Sequence, residues 1–167
     1  IYFLLTALLF TSVSFSQVYL SEDFSSGTMP PAGWSFDGLP AQWSNSASNN
    51  AGGSSPEAKF TYINQNTTSR LVSPVVDMTG ITNASLSFKY FYDWYANGPT
   101  IGVATRFGTG AWSVAWQVSP TGNQGPKTQI VELTDIGQSN FQFCIFITGN
   151  LYNVDYWFID NIKLFTP

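Results

Sequence analysis

Apolar and polar positions alternate along this chain with a period of two, and no segment holds a helical period over three turns. The clearest run is Ala84–Trp94, where Leu86, Phe88, Tyr90 and Tyr92 oppose Ser85, Ser87, Lys89 and Asp93. Ile101–Phe107 sets Ile101, Val103, Thr105 and Phe107 against Gly102, Ala104 and Arg106. After Gly108–Gly110, Trp112–Val118 sets Trp112, Val114, Trp116 and Val118 against Ser113, Ala115 and Gln117, which predicts a hairpin. Further strands are predicted at Gln17–Phe24, Trp34–Phe36, Gln42–Ser44, Ala58–Tyr62, Arg70–Ser73, Thr128–Leu133, Phe141–Thr148 and Asp155–Phe165. Turn chemistry separates them at Gly27–Gly33, at the polar tip Asn64–Ser69 and at Ser119–Pro126. Ser44–Ser55 is small and polar throughout and reads as the longest soft loop, suited to variable ligand contacts. Short strands spaced by turns predict an all-β fold, an antiparallel two-sheet β-sandwich.

Two acids disturb the alternation. Asp160 falls in the phase of Tyr156, Phe158, Ile162 and Leu164 in the closing strand, and Glu22 in that of Val18, Leu20 and Phe24 in the first. A carboxylate turned inward without a partner costs several kcal/mol. Should the first and last strands of the sandwich lie side by side, the two acids would converge and repel unless something neutralises them. A hard cation does this, since calcium takes six to eight oxygens. The candidate metal ligands are therefore Glu22, Asp23, Asp160 and Asn161, pinning the chain ends in a structural role; the alternatives are a phase error near a strand end and pairing with Lys59 or Arg70.

Composition narrows the function. Of 167 residues, 17% are aromatic and 10% charged, against roughly 25% charged in an ordinary soluble protein. Such a chain can bury a real core. A net charge of −4 without a run of Lys or Arg argues against nucleic acid and against electrostatic attachment to a membrane surface. The lack of histidine removes Ser-His-Asp and Cys-His catalysis and the imidazole metal sites. The single Cys144 leaves no intrachain disulfide and is expected to act as a small hydrophobe in its strand.

The apolar run Ile1–Phe10 is shorter than the roughly 20 residues of a spanning helix. Small and polar residues follow it, with Ser14 and Ser16 at positions suited to cleavage. Residues 1–16 are therefore expected to be an N-terminally clipped secretory signal and 17–167 the mature domain, not inserted in a membrane.

Most aromatics must fill the sandwich. Trp94, Tyr95 and Tyr152 stand beside the polar turns Ala96–Pro99 and Gly149–Asn153 and are the candidates for an exposed ligand site, with Asp93 as a polar contact. A glycosidase needs two carboxyls about 5–10 Å apart. The chain has only Glu22, Glu57 and Glu132 as glutamates, and nothing places two of them in a cleft.

Several motifs then combine in order: Glu22-Asp23-Phe24, Pro31-Ala32-Gly33-Trp34, Arg70-Leu71-Val72-Ser73-Pro74-Val75-Val76-Asp77, Leu86-Ser87-Phe88, Gly110-Ala111-Trp112 and Trp157-Phe158-Ile159-Asp160-Asn161-Ile162. Over nearly all of Val18–Leu164 this order resembles the cleaved-adhesin, or choice-of-anchor J, family, which is similar to MAM-type jelly rolls. The resemblance implies an extracellular, calcium-containing jelly-roll module of bacterial surface or secreted proteins, with any catalysis housed in other domains of a longer chain. Members often carry an acid after the motif phenylalanine and an Asp/Gly-rich loop after the first Trp, where this chain has Ser25 and the short Asp37-Gly38. The expectation is a secreted or cell-surface, non-catalytic adhesion module with a structural calcium, whose partner is an extracellular protein or glycan. The alternatives are a carbohydrate-binding module serving an enzyme domain outside this chain and, after it, a small β-sandwich hydrolase.

Overall fold

Eleven strands build two antiparallel sheets within residues 16–166, which the computed structural model describes. The expected signal segment, Ser16 apart, lies outside these residues. The strands are β1 (Gln17–Glu22), β2 (Ser35–Asp37), β3 (Trp43–Ser46), β4 (Glu57–Thr61), β5 (Asn66–Val72), β6 (Asn83–Trp94), β7 (Thr100–Phe107), β8 (Ser113–Val118), β9 (Gln124–Thr134), β10 (Phe141–Asn150) and β11 (Val154–Thr166). One sheet has the order β3-β4-β11-β6-β9, with β1 also on β11, and the other has the order β2-β5-β10-β7-β8. This is the expected β-sandwich of jelly-roll type. No helix among the described residues is long and apolar enough to cross a membrane.

The alternating residues meet between the sheets. Leu86, Phe88, Tyr90 and Tyr92 of β6 pack there with Leu71, Phe141 and Phe143, and all are fully buried. Trp43 meets Phe60 edge-on at 5.2 Å and lies 6.3 Å from Trp157. Truncating a buried ring of this kind costs about 3–5 kcal/mol. Cys144 faces the other way, buried with Val72, Ala104 and Phe146 in a small cluster on the outer face of the second sheet. Desolvation there pushes its thiol up to about 12.

Bulges change the phase that alternation predicts. In β11 an extra residue lies between the pairs Asp160↔Lys89 and Lys163↔Ser87, and Asn161 takes a left-handed φ of 50°. Before this bulge Trp157 and Ile159 enter the core; after it Ile162 and Leu164 do. Tyr156, Phe158 and Asp160 therefore face outward, and the expected inward phase of Asp160 is corrected. Asp160 is still wholly buried, beneath a loop. A second bulge, between Val18 and Leu20, leaves Val18 47% exposed where an inward position was expected. A third, in β8, turns Val114 outward while Trp116 packs on the core. The polar tip expected at Asn64–Ser69 is mostly strand, because β5 begins at Asn66 and pairs with β10 from there.

The loop over residues 44–55 also differs from expectation. It folds over the outer face of the first sheet and is fastened by two buried acids. Glu57 accepts hydrogen bonds from the Ser48 hydroxyl at 2.7 Å and from the Asn50 and Ala51 N–H groups at 2.7 and 2.8 Å. Asp160 accepts from Ser54 N–H at 2.9 Å, and Lys89 donates to the Gly52 carbonyl at 2.6 Å. Ala51 is buried as a result.

Candidate functional site

Three tyrosines and a carboxylate surround one cavity of about 140 Å³ at an end of the first sheet: Tyr62, Tyr95, Tyr152 and Asp155. Each comes from the end of a different segment. Tyr62 follows β4, Tyr95 follows β6, Tyr152 sits in the short turn Leu151–Asn153, and Asp155 opens β11. Tyr152 meets Tyr62 edge-on at 5.8 Å and Tyr95 edge-on at 5.7 Å, so two perpendicular pairs share one ring. The three residues are 44–53% exposed, and a tyrosine offers an apolar ring to stack and a hydroxyl to hydrogen-bond.

The loops that carry these rings are braced against one another. Ile63 N–H donates to Leu151 O, Leu151 N–H to Gln65 O, and Ala96 N–H to Asn153 O, at 2.8–3.3 Å. The Asn153 side chain donates to Asn97 O at 2.6 Å, and the Asn150 side chain accepts from Tyr152 N–H. Leu151 anchors the turn in the core. Gly149 is required at the crossing, since a Cβ there would stand 2.8 Å from Gly98 O.

Of the four residues expected at a ligand site, Tyr95 and Tyr152 meet in this cavity and Trp94 and Asp93 do not line it. Trp94 packs partly against the core with its indole nitrogen buried. Asp93 lies opposite Tyr156 in the β6–β11 ladder, next to Asp155. Its pKa is raised, first by burial and then by the Asp155 charge, against a hydrogen bond with Asn123. Tyr62 and Asp155 were not singled out from sequence. Tyr62 extends a strand whose inward phase is Ala58 and Phe60, and its nearness to Tyr152 depends on the β4–β11 pairing.

The expected metal ligands gather around the bulge in β11. There β4 leaves one edge of that strand and β1 takes its place, with Glu22 opposite Ile162. Glu22, Asp23 and Asn161 line one surface cavity of about 370 Å³ together with Ser21, Ile162 and Lys163. Asp160 lies behind it under Gly53 and Ser54. Glu22 accepts from Phe24 N–H at 2.6 Å, and Asp23 accepts from the Ser25 hydroxyl and N–H, which lower its pKa. Burial raises the Asp160 pKa, with the charges of Glu57 and Asp23 adding to it. Among the described residues no group of three or more His, Cys, Asp and Glu side chains is gathered so as to hold a metal ion. The donors are nonetheless all oxygen, the kind a hard cation takes. Asp160 also lacks a cationic partner among the described residues, because its cross-strand neighbour Lys89 is turned to Gly52.

No protein-family model matches this chain, and no curated protein matches it either. Solved structures do. TmCBM61, described in complex with β-1,4-galactotriose, has a TM-score of 0.64 at 17% identity, covering 90% of this chain and 99% of its own. The K3 cleaved adhesin domain of Lys-gingipain from Porphyromonas gingivalis has a TM-score of 0.61 at 19% identity, covering 92% of this chain and 100% of its own. The CBM22-1 xylan-binding domain of Paenibacillus barcinonensis Xyn10C has a TM-score of 0.55 at 14% identity, covering 92% and 96%. The chain thus has the jelly-roll fold that cleaved adhesin domains share with carbohydrate-binding modules.

Proposed function

We propose that this chain is a secreted, non-catalytic binding module that takes a neutral glycan at the corner formed by Tyr62, Tyr95, Tyr152 and Asp155. One observation carries the reading: three half-exposed tyrosines and a carboxylate share one cavity on mutually braced loops. Ring faces stack on the C–H face of a sugar, phenol hydroxyls donate and accept, and a carboxylate accepts from sugar hydroxyls. Loops that are already ordered lower the entropic cost of binding. An acid in the site disfavours an anionic ligand. A cavity of about 140 Å³, below the roughly 300–1,000 Å³ of a drug-sized site, suits one terminal sugar residue.

The neighbours support a binding role, since they include galactotriose- and xylan-binding modules as well as adhesin domains. A non-enzyme fits the absence of histidine. It also fits the placement of the acids: Glu22 with Asp23, and Glu132 with Asp135, share cavities but come from one stretch of backbone each. In the same reading a calcium ion serves structure, with Glu22, Asp23, Asp160 and Asn161 as the residues that would hold it. It would supply positive charge beside a buried carboxylate and tie the two terminal strands.

A glycan array probed with the wild-type chain and with Tyr152→Ala tests the site. Saturable binding to neutral glycans, lost in the variant, is the expected result. Binding that ignores Tyr152, or no binding to any glycan, contradicts it; in the second case capture of an extracellular protein would favour the adhesin reading.

A further inference from the structure

Both arginines of the chain come to one place. On the outer face of the second sheet, Trp112 has the Arg106 guanidinium 4.3 Å from its ring centroid and that of Arg70 at 6.0 Å. Arg106 is oriented by Gln142 Oε1, to which its Nε donates at 3.1 Å and its Nη2 at 2.9 Å. Arg70 donates to Asp37 at 2.8 Å. Arg106 therefore has no carboxylate partner among the described residues. Trp112, Arg70, Thr68, Thr148, Gln117 and Phe146 line a groove of about 210 Å³, and Arg106 stands next to it at the Trp112 ring. Ala104 and Phe146 belong to the small apolar cluster beneath it.

We infer that this groove binds an acidic oligosaccharide, with a uronate carboxylate drawn to Arg70 and Arg106 beside Trp112. Guanidinium groups match carboxylates with paired hydrogen bonds, and a ring beneath them reduces the entropy lost in doing so. The chain as a whole is negative, so general attraction of anions is not what brings such a ligand here. Two threonine hydroxyls and an amide beside an apolar floor suit a hydroxylated ring. Strand addition by an extended peptide is disfavoured at β10 and β7, which are paired on both edges. The site rests on the binding-module reading but not on the tyrosine corner, whose acid selects against the same ligand.

The test is isothermal titration of the chain with trigalacturonic acid and with its methyl ester. The acid is expected to bind and the ester to bind at least tenfold more weakly. Arg106→Gln and Arg70→Gln should each weaken binding of the acid at least tenfold. Arg106→Lys should fall between Arg106→Gln and wild type, and Tyr152→Ala should leave binding unchanged. Equal affinity for acid and ester overturns the inference, as does wild-type affinity in a folded Arg106→Gln chain. Polyglutamate binding as tightly per carboxylate as the uronate would overturn the saccharide assignment. Neutral-glycan binding in the same variants reports separately on the tyrosine corner.

Discussion

A Cβ added to Gly53 would stand 1.7 Å from Asp160 Oδ2, closer than any side chain can approach. Asp160 cannot swing aside freely, because its oxygens accept from Ser54 N–H and Asn161 N–H. Gly53→Ala is therefore expected to cost about 1–3 kcal/mol, as overpacking does, seen as a lower urea midpoint with an unchanged slope. Glu57→Ala strands the Ser48 hydroxyl and two loop N–H groups and should cost about 3 kcal/mol, with early amide exchange at Asn50 and Ala51 as the local readout. Neither effect was legible in the sequence. Alternation places Glu57 and Asp160 on outward phases once strand pairing and the bulge are known, and only a loop folded over that face buries them. Asp93 gives a pH prediction. Its folded pKa is raised, so the fold holds that proton more tightly than the unfolded chain does. Its favourable contribution is present below the unfolded value near 3.9 and is lost as pH rises through the folded value. Asp93→Asn should accordingly melt higher than wild type at neutral pH, with the difference closing as pH falls.

At the scale of elements, period-two alternation was enough to find β6, β7 and β10, because each of these long strands has one phase in a common core. It failed where one extra residue slips the phase, since a single-residue slip sends every later side chain to the other face. The bulge in β11 falls at Asn161, which carries no glycine to announce it, and there the strand exchanges β4 for β1. β1 does pair with β11, and Glu22, Asp23 and Asn161 line one cavity, but Asp160, the acid expected to meet Glu22, is buried under Gly53 and Ser54. On the proposed reading, a calcium ion bound there would stabilise the fold by mass action, by about 2.7 kcal/mol at a hundredfold excess over its dissociation constant. The melting temperature in millimolar calcium should then exceed that in chelator by several degrees, and Asp23→Asn should shrink the gap. Equal melting in both would remove calcium from the account.

Across the whole molecule, a jelly-roll sandwich presents two chemically distinct surfaces. One is a corner of tyrosines with a carboxylate at a sheet end; the other is a sheet face where both arginines stand over a tryptophan. Half of the tyrosine site was legible in the sequence, because Tyr95 and Tyr152 stand beside turns rather than inside alternating runs. Tyr62 and Asp155 were not, since their places depend on which strands pair. Trp94 does not line the site, because it continues the inward phase of Tyr90 and Tyr92 and packs against the core. The central claim is that the tyrosine corner holds a neutral glycan without altering it. Its most direct measurement is isothermal titration of wild type and of Tyr95→Ala/Tyr152→Ala with the strongest neutral glycan from the array, with the sugar recovered afterwards. The account predicts saturable binding that weakens at least tenfold in the double variant and a recovered sugar that is intact. Undiminished affinity in the folded variant, or a cleaved sugar, would contradict it.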